Sequence, residues 1–324
     1  MMNINTSPRR QITVTRKSLL RSLALIFSVA YGAFIVYALQ LQFSVGSGDI
    51  SSYIYYFEVA GNTSETVVIS ADYVFRIAIF AINDYFNIPV LEILSYFAFV
   101  CSSIVIYIFL INIRSEKYLI YLFPLLLMIF LTPNVQILFS SGIRSGIAFT
   151  LLMLGFVMYK GFLRYLLFLG ASIIHLSMLP MLALYFFYNF LNHRRVGSPI
   201  LLSLVLLFIA SSIMAILATN VYFTAVVATS AAYNIMLLYF TLIIIFLNRK
   251  VLKDHYGFIA VGLMFIYLAG VFIDASFIRY VGNSILLFLF FLIRRGDVGT
   301  IQTFTVAYIP FFLLTLSYSI ANSV

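Results

Sequence analysis

The chain has 324 residues, 64% of them hydrophobic and only 9% charged, with a formal net charge of +9. Soluble proteins carry about 25% charged residues, and no water-soluble single domain can cover this much apolar side chain with polar surface. The composition excludes a soluble enzyme, a disordered chain and a secreted disulfide scaffold, and the continuous apolar runs exclude an outer-membrane barrel, whose strands would alternate.

In chain order, residues 1–21 are a basic cytoplasmic N-terminus carrying Arg9, Arg10, Arg16, Lys17 and Arg21. The apolar run 22–42 is longer than the roughly 7–15 residues of a signal-peptide core, so it reads as an uncleaved first transmembrane helix. Residues 44–70 form a polar loop with Asp49, Glu58 and Glu65 but no Lys or Arg. A weaker apolar segment, 69–86, carries Asp72, Arg76 and Asp84. A span needs about 20 apolar residues. Further candidates lie at 92–112, 118–133, 143–159, 163–190, 199–218, 232–248, 256–273, 277–293 and 301–320. The expectation is an all-α polytopic membrane protein with ten or eleven transmembrane helices, residues 22–324 making one membrane domain. The single cysteine, Cys101, lies inside an apolar run and leaves no intrachain disulfide framework. No internal repeat is visible, which speaks against an inverted-repeat transporter.

Lys and Arg in short loops set the orientation. Basic residues occupy 113–117, 160–164, 192–198, 249–253 and 294–297, which places those loops in the cytoplasm, and loop 44–70 outside. The basic excess is thus a topology signal and a means of meeting anionic lipid, not a nucleic-acid footprint. Two consequences follow. Segment 69–86 becomes a re-entrant or interfacial helix on the outer side. The run 163–190, about 42 Å as one helix against about 30 Å of hydrocarbon, is either a hairpin broken around 175–181 near Pro180, or one basic loop violates the rule.

Charges at membrane depth cost several kcal/mol and mark functional cavities by default. Arg144 sits in SSGIRSGIAF among small residues at helical spacing, Ser141 with Ser145 and Gly142 with Gly146. That pattern permits close helix packing. Its bland alternative is an arginine reaching to the interface. His175 lies in ASIIHLSMLP, where a neutral histidine bonded to Ser172 or Ser177 is the structural alternative. Arg279 lies in DASFIRYVGN, with a local Asp274 pair as its alternative, and Arg76 follows Asp72 at i+4. The orientation brings Asp49, Glu58, Asp72, Arg76, Arg144 and Arg279 to the outer leaflet, with His175 in reach. Arginines grip phosphate oxygens bidentately, so the set suits a phosphorylated lipid and a hydroxyl nucleophile. The sequence holds no P-loop, no D-x-D, no metal-ligand spacing and no G-x-S-x-G elbow. No cofactor or metal is implied.

These residues carry a resemblance. GSGDISSYIYYFE (46–58) resembles the "GxDxxxYxxxF" opening of the EpsG-like and Wzy-type polysaccharide polymerases. SSGIRSGIAFTLLMLGFVMYKG (140–161) resembles their "R-x-x-[LI]-A" helix, HLSML (175–179) their "H-x-S-x-[LM]", and FIRYVGNSILLF (277–288) a late "R-x-x-Y" helix. Two positions depart: Ser145 stands where glutamine is usual, and Asp72 alone where an acidic residue and a proline are expected. The resemblance implies a multi-pass enzyme of the bacterial inner membrane with its active site facing the periplasm. Its substrates would be undecaprenyl-diphosphate-linked oligosaccharides, joined into O-antigen or capsular polysaccharide, and a chain-length regulator protein would be its partner. In that mechanism Arg144 and Arg279, with Arg76, neutralise the lipid diphosphate. His175 is the first candidate base and Asp49 the second. Three other classes compete: a flippase for the same lipid-linked sugars, a membrane acyltransferase that decorates the glycan, and a structural or assembly protein.

Overall fold

The computed structural model describes residues 8–44, 73–113, 118–157, 159–194, 231–247, 250–270, 279–295 and 297–321. Every regular element among them is a helix. In order these are α1 (Pro8–Ser44), α2 (Tyr73–Phe86), α3 (Val90–Ile111), α4 (Leu119–Leu131), α5 (Pro133–Phe139), α6 (Ile143–Val157), α7 (Phe162–Ile174), α8 (Leu179–Arg194), α9 (Ala231–Leu247), α10 (His255–Gly270), α11 (Arg279–Arg295) and α12 (Val298–Ala321). Short 3₁₀ turns occupy Leu176–Met178 and Val251–Lys253. The chain is an all-α membrane protein. Among the described residues three helices are long and apolar enough to cross a bilayer: Ser18–Ser44, Val90–Ile111 and Val298–Ser317. The bent pair α4–α5 makes a fourth when taken as one span. The windows that suggested ten or eleven crossings correspond largely to shorter apolar helices of 10–17 residues. Window 199–218 lies outside the described residues.

The shortening has local causes. Pro133 restricts the residue before it to extended backbone. Thr132 accordingly adopts φ −67°, ψ 126°, and the chain bends by 65° between α4 and α5. The break is buried and satisfied: Thr132 Oγ1 donates back to Met128 O at 2.8 Å and lies 2.5 Å from Tyr308 Oη on α12. A sharper turn follows, with Gly142 N–H donating to Ile137 O at 2.7 Å. A Cβ on Gly146 would lie 2.7 Å from Leu138 O. The small residues around Arg144 therefore fold α6 back on α5, the preceding segment of the same chain.

The helix α11 is buried from Tyr280 to Ile293 and forms the centre of the bundle. An apolar sequence on all sides suits such a position. It packs along α10 and against α5. A Cβ on Gly282 would lie 2.7 Å from Asn134 O, so the backbones of α11 and α5 touch there. Phe290 near the end of α11 meets Phe109 near the end of α3, with ring centroids 5.3 Å apart. Both helices thus run toward the same face, the one bearing Arg294 and Arg295.

Residues 163–190 form the broken hairpin. α7 ends at Ile174, His175 is extended (φ −150°, ψ 111°), and the 3₁₀ turn leads into α8. The arms return alongside each other: Phe168 meets Tyr185 at 5.5 Å, and Arg164 Nη1 donates to Tyr185 Oη at 3.4 Å. Arg164 and the end of α8 thereby share one face, as the distribution of basic loops requires. The helix α2, read from sequence as re-entrant or interfacial, has 14 residues, too few for a full span, and lies against α3 and α7.

Candidate functional site

The hairpin tip presents His175 to the first residue of the central helix. Arg279 Nη1 lies 3.2 Å from His175 Nε2. A guanidinium has donors and no acceptor, so Arg279 donates and Nε2 accepts. The imidazole is then neutral, with its proton on Nδ1. Arg144, at the start of α6, is close enough to act on the same ring electrostatically, as is Arg279. Arg144, His175 and Arg279 are each partly buried. Three residues widely separated in sequence, on α6, the hairpin tip and α11, converge on one place.

Local bonding explains the tip. His175 N–H donates to Ala171 O and its carbonyl accepts from Met178 N–H, both at 3.0 Å, so the backbone is satisfied through the break. The side chain is left to meet Arg279. The serine partners that offered a structural role for His175 are not used. Ser172 Oγ donates to Phe168 O at 3.1 Å, and Ser177 Oγ is buried without a hydrogen-bond partner among the described residues.

Depth follows from helix lengths at 1.5 Å per residue. From Arg294 back to Arg279 is about 22 Å, and from Arg164 to His175 about 17 Å. Measured along the helices, the cluster thus stands more than half of a roughly 30 Å hydrocarbon thickness away from Arg164 and Arg294.

Arg76 is partly buried on α2 and is not among the residues that bear on the His175 ring. Asp49, the second candidate base, lies outside the described residues, as do Glu58, Asp72 and Asp274. Among the described residues no group of three or more His, Cys, Asp or Glu side chains comes together to hold a metal ion.

Two neighbours of the cluster went unnoticed in the sequence. Asn283, one turn beyond Arg279, is fully buried, and neither of its amide atoms has a hydrogen-bond partner among the described residues. Gly282 fixes the distance between α11 and α5 beside Arg279. The i+4 spacing from Arg279 to Asn283 was the available signal for the first. Nothing in the sequence marks the second. Comparison of the chain with models of known protein families, with curated proteins and with solved structures finds no match.

Proposed function

We propose that the chain is a membrane polymerase that joins undecaprenyl-diphosphate-linked oligosaccharides into O-antigen or capsular polysaccharide, acting on the periplasmic side of a bacterial inner membrane. The observation that carries this reading is the convergence of Arg144, His175 and Arg279 at membrane depth, on the three segments whose motifs resemble those of the EpsG-like and Wzy-type polymerases. A lipid diphosphate has its phosphates near the membrane and its sugar beyond them. Two guanidiniums at this depth suit the first, and a histidine beside them suits the hydroxyl that attacks the second.

In the reaction, the acceptor hydroxyl oxygen attacks the anomeric carbon of the donor glycan. The bond from that carbon to the diphosphate oxygen breaks and its electron pair leaves on undecaprenyl diphosphate. Arg279 and Arg144 stabilise the charge that develops there, the electrostatic contribution that is usually largest. His175 takes the hydroxyl proton on Nε2. That lone pair is held by Arg279 in the structure. A diphosphate is a stronger acceptor for a guanidinium than a neutral imidazole is. Donor binding therefore draws Arg279 to the phosphate oxygens and frees the base, so proton abstraction waits for the donor.

The test is a gel of surface glycan from a strain lacking this gene, with and without a plasmid copy. Collapse of a ladder to core plus one repeat unit, restored by the plasmid, supports polymerisation. An unchanged ladder overturns it in favour of decoration, and loss of the single unit overturns it in favour of a flippase.

A further inference from the structure

At the other end of the same helices lies a cavity that the proposed reaction does not use. It has a volume of about 220 Å³ and is lined by Arg164, Tyr185, Asn189, His255, Tyr256 and Arg294, above Phe156. A single water needs only about 10–15 Å³ on such a measure, so the space admits a polyatomic ion with its hydration. Five helices meet here: α6 gives Phe156, α7 gives Arg164, α8 gives Tyr185 and Asn189, α10 gives His255 and Tyr256, and α11 gives Arg294. The lining is polar and aromatic in a chain that is 64% hydrophobic.

Each arginine is anchored on one side and keeps donors on the other. Arg164 Nε–H donates to Gly155 O at 3.0 Å and Tyr159 O at 3.1 Å, which satisfies carbonyls at the end of α6. Its Nη1 donates to Tyr185 Oη. Arg294 Nη1 donates to Tyr256 Oη at 3.3 Å, and its guanidinium lies 5.4 Å from the Tyr256 ring centroid. Neither Nη2 group has a partner among the described residues. Both arginines are close enough to act electrostatically on His255. Among the described residues, the one carboxylate that also faces His255 and Tyr256 is Asp254, whose Oδ1 accepts the Tyr256 N–H at 3.0 Å at the start of α10. Two fixed cations against one carboxylate leave the cavity with a positive excess.

We propose that this cavity is a second anion site, on the face of the membrane that the basic loops place in the cytoplasm, and that it binds a phosphate or diphosphate group. The geometry is two guanidiniums held by tyrosines, each with an Nη2 group that no described residue engages, which is an arrangement suited to gripping phosphate oxygens. The group has two sources, a phospholipid head at the bilayer surface or a soluble phosphate. The site lies about 22 Å from Arg279 along α11 and does not depend on the polymerase reading. An anion there bridges α7, at the base of the hairpin, to the central helix, and so fixes the base of the hairpin whose tip carries His175.

The experiment uses the full chain in phosphatidylcholine nanodiscs at low salt, titrated calorimetrically with inorganic pyrophosphate. In parallel, nanodiscs containing phosphatidic acid are exchanged into detergent and the retained lipid is counted by mass. We expect a saturable pyrophosphate component, or retained phosphatidic acid, that weakens at least tenfold in Arg294→Gln and recovers in part in Arg294→Lys, beside any separate component that depends on Arg279. Pyrophosphate binding alone identifies a soluble source, and phosphatidic acid alone a lipid. Asn189→Asp, a substitution at an exposed lining residue, weakens the same component should Arg294→Gln fail to fold. Arg279→Gln leaves the component in place, which separates it from the cluster around His175. Binding of neither probe by the wild type overturns the proposal, as does binding that Arg294→Gln and Asn189→Asp leave unchanged.

Discussion

Arg279 holds a permanent cation 3.2 Å from an imidazole nitrogen, and that pair sets the expected behaviour of single substitutions. Under the proposed reaction, Arg279→Lys keeps the charge but loses the planar fork, so it yields shortened or sparse polymer where Arg279→Ala yields none. His175→Ala removes the base and lowers the rate by about 10²–10⁴, with the protein still in the membrane. A silver-stained glycan gel, normalised to protein abundance, reads both. His175→Gln separates the roles further: it can still accept a bond from Arg279 but cannot take a proton, so it keeps stability and loses polymer. Arg144, Arg279 and His175 were all legible as single letters, because charge is rare in an apolar run. That His175 answers to Arg279, 104 residues away, was not legible, since no local pattern encodes a contact at that separation. The local serines offered a closer and wrong partner.

Among the elements, the decisive features are breaks. Pro133 announces its break in the sequence, and Pro180 pointed to the hairpin, although the turn falls five residues earlier at His175. The contacts that hold the breaks in place were hidden. Gly146 belongs to a small-residue pattern that signals close packing, whereas Gly282 looks like an ordinary small residue, yet a Cβ at either would meet a carbonyl oxygen at 2.7 Å. Gly282→Ala should cost about 1–3 kcal/mol by overpacking, shift the start of α11 and reduce polymer. Gly170→Ala, whose new Cβ would touch only Leu151 Cδ1 at 3.7 Å, should be neutral. Thermal melting in detergent compares the two directly. The hairpin makes a labelling prediction as well. With buried Cys101 replaced by Ala, cysteines at Lys160 and Asn192 react from the same side of the membrane. A cysteine at Tyr85, beside the start of α3, reacts from the other. Opposite reactivity at 160 and 192 would mean that 163–190 crosses once.

Over the whole molecule, composition alone established an all-helical membrane protein, because so little charge cannot cover a soluble surface. Among the described residues three helices, or four with the bent pair α4–α5, are long and apolar enough to cross, and the shorter α11 is buried by protein from Tyr280 to Ile293. The same central helix joins the two charged ends. Arg279 meets His175 at one end, and Arg294 lines the second cavity with Arg164 at the other. The most direct test of the account is reconstitution of the full chain in nanodiscs with a lipid-linked oligosaccharide repeat unit, following undecaprenyl diphosphate release and glycan length together. The account predicts polymer and stoichiometric carrier release without added nucleotide sugar, both lost in His175→Ala and Arg279→Ala. Polymer of normal length from either variant would contradict it.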